Sequence, residues 1–128
     1  MTPEDRRYMK SHEWVKIEGD TAIVGITDYA QAELGDITFV ELPEEEQELE
    51  QGHECAVVES IKAASDIYAP LSGKVKESNI QLQAQPELIN EDPYEVGWIF
   101  KIKDFDPEEI EDLLLPAEYD HLLEDDED

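Results

Sequence analysis

Cys55-Ala56-Val57-Val58-Glu59-Ser60-Ile61-Lys62-Ala63-Ala64-Ser65-Asp66-Ile67-Tyr68-Ala69 is the most patterned stretch of the chain. Residues 55–61 carry side chains that fit a pleated surface and read as a strand, and residues 66–69 read as its return partner. The intervening Lys62-Ala63-Ala64-Ser65 predicts a tight, exposed bend. A lysine in that bend has its ε-amine held away from the sheet, and the small neighbours Ala63, Ala64 and Ser65 keep its approach clear for a modifying enzyme or a long acyl chain. Taken alone, the same residue reads as a surface lysine on a loop.

Outward from this hairpin, Trp14-Val15-Lys16-Ile17 and Ala22-Ile23-Val24-Gly25-Ile26 predict a second one, closed by Glu18-Gly19-Asp20 with Gly19 free to take positive φ. Thr27 and Asp28 offer side-chain oxygens as helix caps and Gly35 a stop, so residues 29–34 should form one short helix. Ile37-Thr38-Phe39-Val40-Glu41-Leu42 is a strand ended by Pro43, which cannot donate to a ladder. Residues 44–50 carry Leu49 as their one apolar side chain and read as a solvated loop. After the turns at Gln51-Gly52 and Pro70-Leu71-Ser72-Gly73, strands are expected at Gly73-Lys74-Val75-Lys76 and at residues 98–103, where apolar and basic positions alternate. Asp106 as N-cap, Pro107 at the first helical position and Glu109 closing a capping box predict a helix over 107–115. Pro116 ends it and starts another through Glu118 and Tyr119, and the tail from Glu124 to Asp128 reads as disordered. Many short strands with few peripheral helices imply a mostly β architecture, sandwich or partly closed barrel. Residues 1–128 are read as a single domain, ordered over about 8–120, with 121–128 a flexible acidic tail.

Composition narrows the partners. A hydrophobic fraction of 40% suffices for a core, and a charged fraction of 34% makes the surface ionic. Nine Lys+Arg against 35 Asp+Glu leave a formal net charge of −26, so nucleic acid and anionic membranes are disfavoured. Basic partners fit, as does a high-salt cytoplasm whose ions screen the self-repulsion. Cys55 is the one cysteine, so no intramolecular disulfide forms. The start of the chain has no apolar h-region and no later stretch is apolar enough to span a bilayer, which makes the cytoplasm the expected location.

The run from Val58 to Tyr68 resembles the lipoylation site of glycine cleavage H proteins at nearly every position. The likeness continues in Ser11-His12-Glu13-Trp14-Val15, Gly25-Ile26-Thr27-Asp28-Tyr29-Ala30-Gln31, Leu34-Gly35-Asp36, Phe39-Val40-Glu41-Leu42-Pro43 and Pro86-Glu87-Leu88-Ile89-Asn90-Glu91-Asp92-Pro93-Tyr94, in the family's order. Several blocks in register make it far more specific than a lone motif. The resemblance implies a hybrid barrel-sandwich of antiparallel sheets, with short peripheral helices and a C-terminal helical segment. It implies a non-catalytic carrier with (R)-lipoate covalently attached to Lys62. In this family the lipoyl dithiolane accepts an aminomethyl group from the pyridoxal-phosphate-dependent glycine decarboxylase. An aminomethyltransferase passes the one-carbon unit to tetrahydrofolate, and dihydrolipoamide dehydrogenase reoxidises the dithiol. A lipoyl-attaching enzyme completes the partner set, and the carrier is expected to be a monomer. By the same resemblance Ser11, Glu13 and Asp66 cradle the loaded amine, carboxylates suiting an aminium; Glu13 and Asp66 equally read as two solvated acids among the 35. Glu95-Val96-Gly97 departs from the family's commoner glycine-acid-glycine run.

Other readings rest on less. Cys55 beside His53 suggests a nucleophile and base, but lacks a third orienting group, and a buried small hydrophobe is the plainer reading. His12 and His121 join no ligand cluster, so no metal site is indicated. A lipoyl or biotinyl module of another multienzyme complex fits worse, because Lys62 lies between Ile61 and Ala63, where biotinyl modules bracket their lysine with methionines. An H-like protein that relays lipoyl groups to other enzymes remains an alternative.

Overall fold

The computed structural model describes residues 2–126. Nine strands form two antiparallel sheets: β1 (Arg7–Tyr8), β2 (Glu13–Glu18), β3 (Thr21–Ile26), β4 (Ile37–Glu41), β5 (Glu48–Leu49), β6 (Glu54–Ser60), β7 (Ala64–Tyr68), β8 (Gly73–Ser78) and β9 (Phe100–Lys103). The larger sheet runs β1-β2-β3-β9-β8-β5 and the smaller β4-β6-β7. Alternation along the strands turns Val15, Val24, Phe100 and Ile102 of the first sheet and Val40, Val58 and Ile67 of the second into one buried core. Neither sheet closes on itself, so the mostly β expectation holds as a sandwich and not as a closed barrel.

Around the sheets lie α1 (Asp28–Leu34), α2 (Gln81–Ala84), α3 (Leu88–Glu91), a 3-10 turn (Pro107–Asp112) and α4 (Pro116–Asp126). Helix α1 is capped as its sequence requires, with Thr27 accepting from the Ala30 N–H and Gly35 closing it at φ 81°. A second, smaller cluster buries Tyr8, Trp14 and Tyr119. Trp14 lies across Gly25 so closely that a Cβ there would sit 2.6 Å from Cζ2. Its indole N–H is shared between the carbonyls of Ile26 and Pro93, and the Arg6 guanidinium covers the ring at 4.7 Å. No helix among the described residues is long and apolar enough to cross a membrane.

Several expected boundaries move. The β6–β7 hairpin turns at residues 61–63, so Ile61 belongs to the bend while Ala64 and Ser65 belong to β7. Within the expected solvated loop, Glu48 and Leu49 form a strand because β8 offers them a partner in Lys74 and Gly73. The strand expected over 98–103 begins its ladder at Phe100. The helix expected over 107–115 is a 3-10 turn ending at Asp112, since Leu114 is drawn into an isolated bridge with Tyr8. Helix α4 continues through Asp126, beyond the expected limit of order at 120, because Tyr119, Leu122 and Leu123 pack on the smaller cluster. Glu127 and Asp128 of the expected disordered tail lie outside the described residues.

Candidate functional site

Lys62 stands exposed at the crest of the β6–β7 hairpin. Ser60 closes the bend beneath it: its N–H donates to the Ala63 carbonyl at 2.7 Å, and its Oγ accepts the N–H groups of Lys62 and Ala63 at 3.3 and 3.1 Å. The polar groups of the turn are satisfied locally, so the lysine side chain is not needed to hold the chain in place. Among the described residues no hydrogen bond or ion pair engages its ammonium.

The bend rests on the connection between α1 and β4. Ile61 donates its N–H to the Asp36 carbonyl at 3.2 Å, and a Cβ at Gly35 would stand 3.6 Å from Lys62 Cε, in ordinary contact. That seat is in turn fixed by Asn90 of α3. Its Nδ2 donates to Gln31 Oε1 and the Gly35 carbonyl, and its Oδ1 accepts the Ile37 N–H, each at 2.9 Å. Asn90 and Asp36 lie inside quoted sequence blocks, but local pattern carries no sign that they support Lys62.

Ser11 and Glu13 are brought together, and Asp66 is not joined to them. The Glu13 side chain is buried; one carboxylate oxygen accepts Ser11 Oγ–H and the other the Tyr68 N–H at 2.8 Å. Burial pushes its pKa above the usual carboxylate value, against the pull of these two donors. The contact with Tyr68 sits where the β6–β7 ladder is irregular, between Glu54 and Ala56. Ser11 and Tyr68 line a cavity of about 480 Å³ with Met9, Lys10 and Leu113. Asp66 is exposed and lines a different groove, with Glu41, Leu42 and Val57.

A sequence profile of the glycine cleavage H-protein family matches residues 6–126. The chain belongs to that family. Glycine cleavage system H proteins of Halothermothrix orenii and Thermus thermophilus are 55% and 53% identical to it over 122 residues, covering 95% of both chains in each case. A probable glycine cleavage system H protein of Haloarcula marismortui is 54% identical over 122 residues, covering 95% of this chain and 96% of its own. The crystal structure of a glycine cleavage system H protein from Mycobacterium marinum superposes with a TM-score of 0.86 at 38% identity, covering 95% of this chain and 98% of that one.

Within this H-protein fold, Cys55 and His53 do not form a catalytic pair. His53 precedes β6, is exposed and turns Nδ1 toward Glu50 at 3.7 Å. Cys55 is partly buried with Sγ 3.5 Å from the Ile67 carbonyl, and burial pushes its thiol up to about 12, so a thiolate is scarce at neutral pH. His12 Nδ1 meets Tyr119 Oη at 2.8 Å, and that hydroxyl also bonds Thr27 at the start of α1. Among the described residues no group of three His, Cys, Asp or Glu side chains is placed to hold a metal. At the departure from the H-protein pattern, the Val96 side chain is exposed while Asn79 Nδ2 donates to the carbonyls of both Val96 and Trp98, setting the course of that loop.

Proposed function

We propose that this chain is a lipoyl carrier of the glycine cleavage system, with Lys62 as the attachment point. The observation that carries the reading is an exposed lysine without an ion pair among the described residues, on a bend closed by its own backbone and Ser60. An amine so placed is accessible to an acylating enzyme, and losing its charge costs the fold no salt bridge. When bound, lipoate supplies a cyclic disulfide able to accept a one-carbon amine on sulfur, and tethering raises its effective concentration at each partner's active site.

The protein's own part is to present the arm and shelter what it carries. The Glu13 carboxylate meets β7 at Tyr68, four residues below Ala64 and so roughly 13 Å down the hairpin by strand rise. A lysine extended by an eight-carbon acyl chain reaches that far. A protonated amine there gains a charge-assisted bond to Glu13 and a polar neighbour in Ser11, and Glu13 regains the counter-charge that burial withholds. Asp66, on the same strand but facing another groove, acts at most on the path of the arm.

The system's enzymes are its partners: a glycine decarboxylase that loads the arm, an aminomethyltransferase that unloads it, dihydrolipoamide dehydrogenase that reoxidises it, and a ligase or transferase that installs it. The carrier works as a cytoplasmic monomer and performs no catalysis itself. Reconstitution tests this reading. With the three purified enzymes, tetrahydrofolate and NAD, glycine-dependent NADH formation requires the lipoylated protein. It is abolished by Lys62→Arg, which keeps the positive charge but removes the acylatable amine. Turnover sustained by Lys62→Arg contradicts it.

A further inference from the structure

The outer face of the β4-β6-β7 sheet lies open beside the Lys62 bend. Register sets Phe39, Glu59 and Ala64 side by side across the three strands, and Glu41, Val57 and Asp66 in the next row. Phe39 is 51% exposed and Ile61, in the bend, 74%. The second row continues into a groove of about 530 Å³ that Leu42 and Val57 line together with Glu41, Glu44, Glu54 and Asp66, and no basic side chain lines it.

Phe39 and Ile61 offer exposed apolar anchors on an otherwise acidic face, and that face is continuous with the lysine whose arm a partner enzyme must admit. We propose that it is the docking surface for the enzyme that takes up the arm, the occupant being an apolar notch over Phe39 flanked by Lys or Arg side chains that enter the acidic groove. This rests on Lys62 being the attachment point. Charge selects the occupant. Two copies of this chain would set acid against acid, whereas a cationic rim gains attraction at long range and loses wrong partners to repulsion. Acylation strengthens the preference, because it turns the Lys62 ammonium into a neutral amide and removes the cation at the edge of the face. The lipoylated carrier is thereby drawn to a basic rim more strongly than the unmodified chain.

The test uses a purified glycine decarboxylase and the full-length lipoylated carrier as varied substrate at about 0.1 M KCl. Phe39→Ala raises KM about ten-fold with kcat unchanged, as for an anchor side chain at the centre of an interface. Glu41→Lys raises it about three-fold, an effect that shrinks as salt is added. Unlipoylated carrier, which has no arm to react, serves as competitive inhibitor: Phe39→Ala raises its inhibition constant by the same factor, and Lys62→Gln lowers it about three-fold. Unchanged KM and inhibition constants in both surface variants overturn the docking face, as does a fall in the sedimentation coefficient of free carrier on Phe39→Ala, which would make it a contact between copies. Intact mass separates the two readings, since failure to lipoylate position 62 in the wild-type chain counts against the attachment point alone.

Discussion

Burying a carboxylate costs free energy that hydrogen bonds recover only in part, and Glu13 shows both sides of that balance. Its oxygens are met by Ser11 and the Tyr68 amide, yet burial still raises its pKa. A raised folded-state pKa means that the native chain holds this proton more tightly than the unfolded one. The contribution is therefore full below the ordinary carboxylate value and is lost as pH rises through the raised one. Glu13→Gln keeps an acceptor for Tyr68 and cannot ionise. Its stability relative to the wild type should rise with pH across that window, measured as the difference in urea midpoints so that the other acids cancel. A pH-independent difference contradicts the buried-carboxylate account. At the same scale, the hairpin pattern placed Lys62 in an exposed bend, but by itself it read as an ordinary surface lysine, and only the family resemblance singled out Lys62, Ser11 and Glu13. The resemblance grouped Asp66 with them, whereas its exposed side chain lines a separate groove with Glu41, Leu42 and Val57, a placement across strands that local pattern does not carry.

The seat beneath Lys62 joins elements far apart in sequence. Asn90 of α3 satisfies groups at both sides of the α1–β4 connection, and that connection accepts the one backbone hydrogen bond from Ile61. Asn90→Ala leaves the Ile37 N–H and a Gly35 carbonyl lone pair without protein partners, which should cost about 2 kcal/mol in urea unfolding. Hydrogen exchange should show the Ile61 amide opening faster in that variant than in the wild type, with the amides of β2 unchanged. Equal protection of Ile61 in both proteins would mean that the bend does not depend on its seat. Elements were readable where short-range chemistry decides them: the two hairpins, Thr27 and Gly35 bounding α1, and Pro43 after β4. They were unreadable where a distant partner decides. Glu48 and Leu49 become a strand only against β8, Leu114 leaves a helical path only to bridge Tyr8, and the acidic α4 is held by Tyr119 stacked at 4.8 Å on Tyr8.

Over the whole molecule, a formal charge of −26 on 128 residues places mutual repulsion against the compact state. The six Lys and Arg ion pairs among the described residues each set an exposed acid on the surface and offset little of it. Tm should climb steadily between about 0.1 and 2 M KCl as the screening length falls below the spacing of the acids. A flat profile would mean that the repulsion is already relieved. The same charge makes docking to basic surfaces salt-sensitive, so carrier turnover and carrier stability should respond to KCl in opposite directions. Both matter only if the two sheets serve as a mount for one tethered group. Intact mass with tryptic mapping, on protein made in a lipoylation-competent cell, measures this directly: a single lipoyl addition confined to the peptide containing Lys62 is the result expected, and modification at another lysine, or none in a cell that lipoylates its other carriers, would contradict the account.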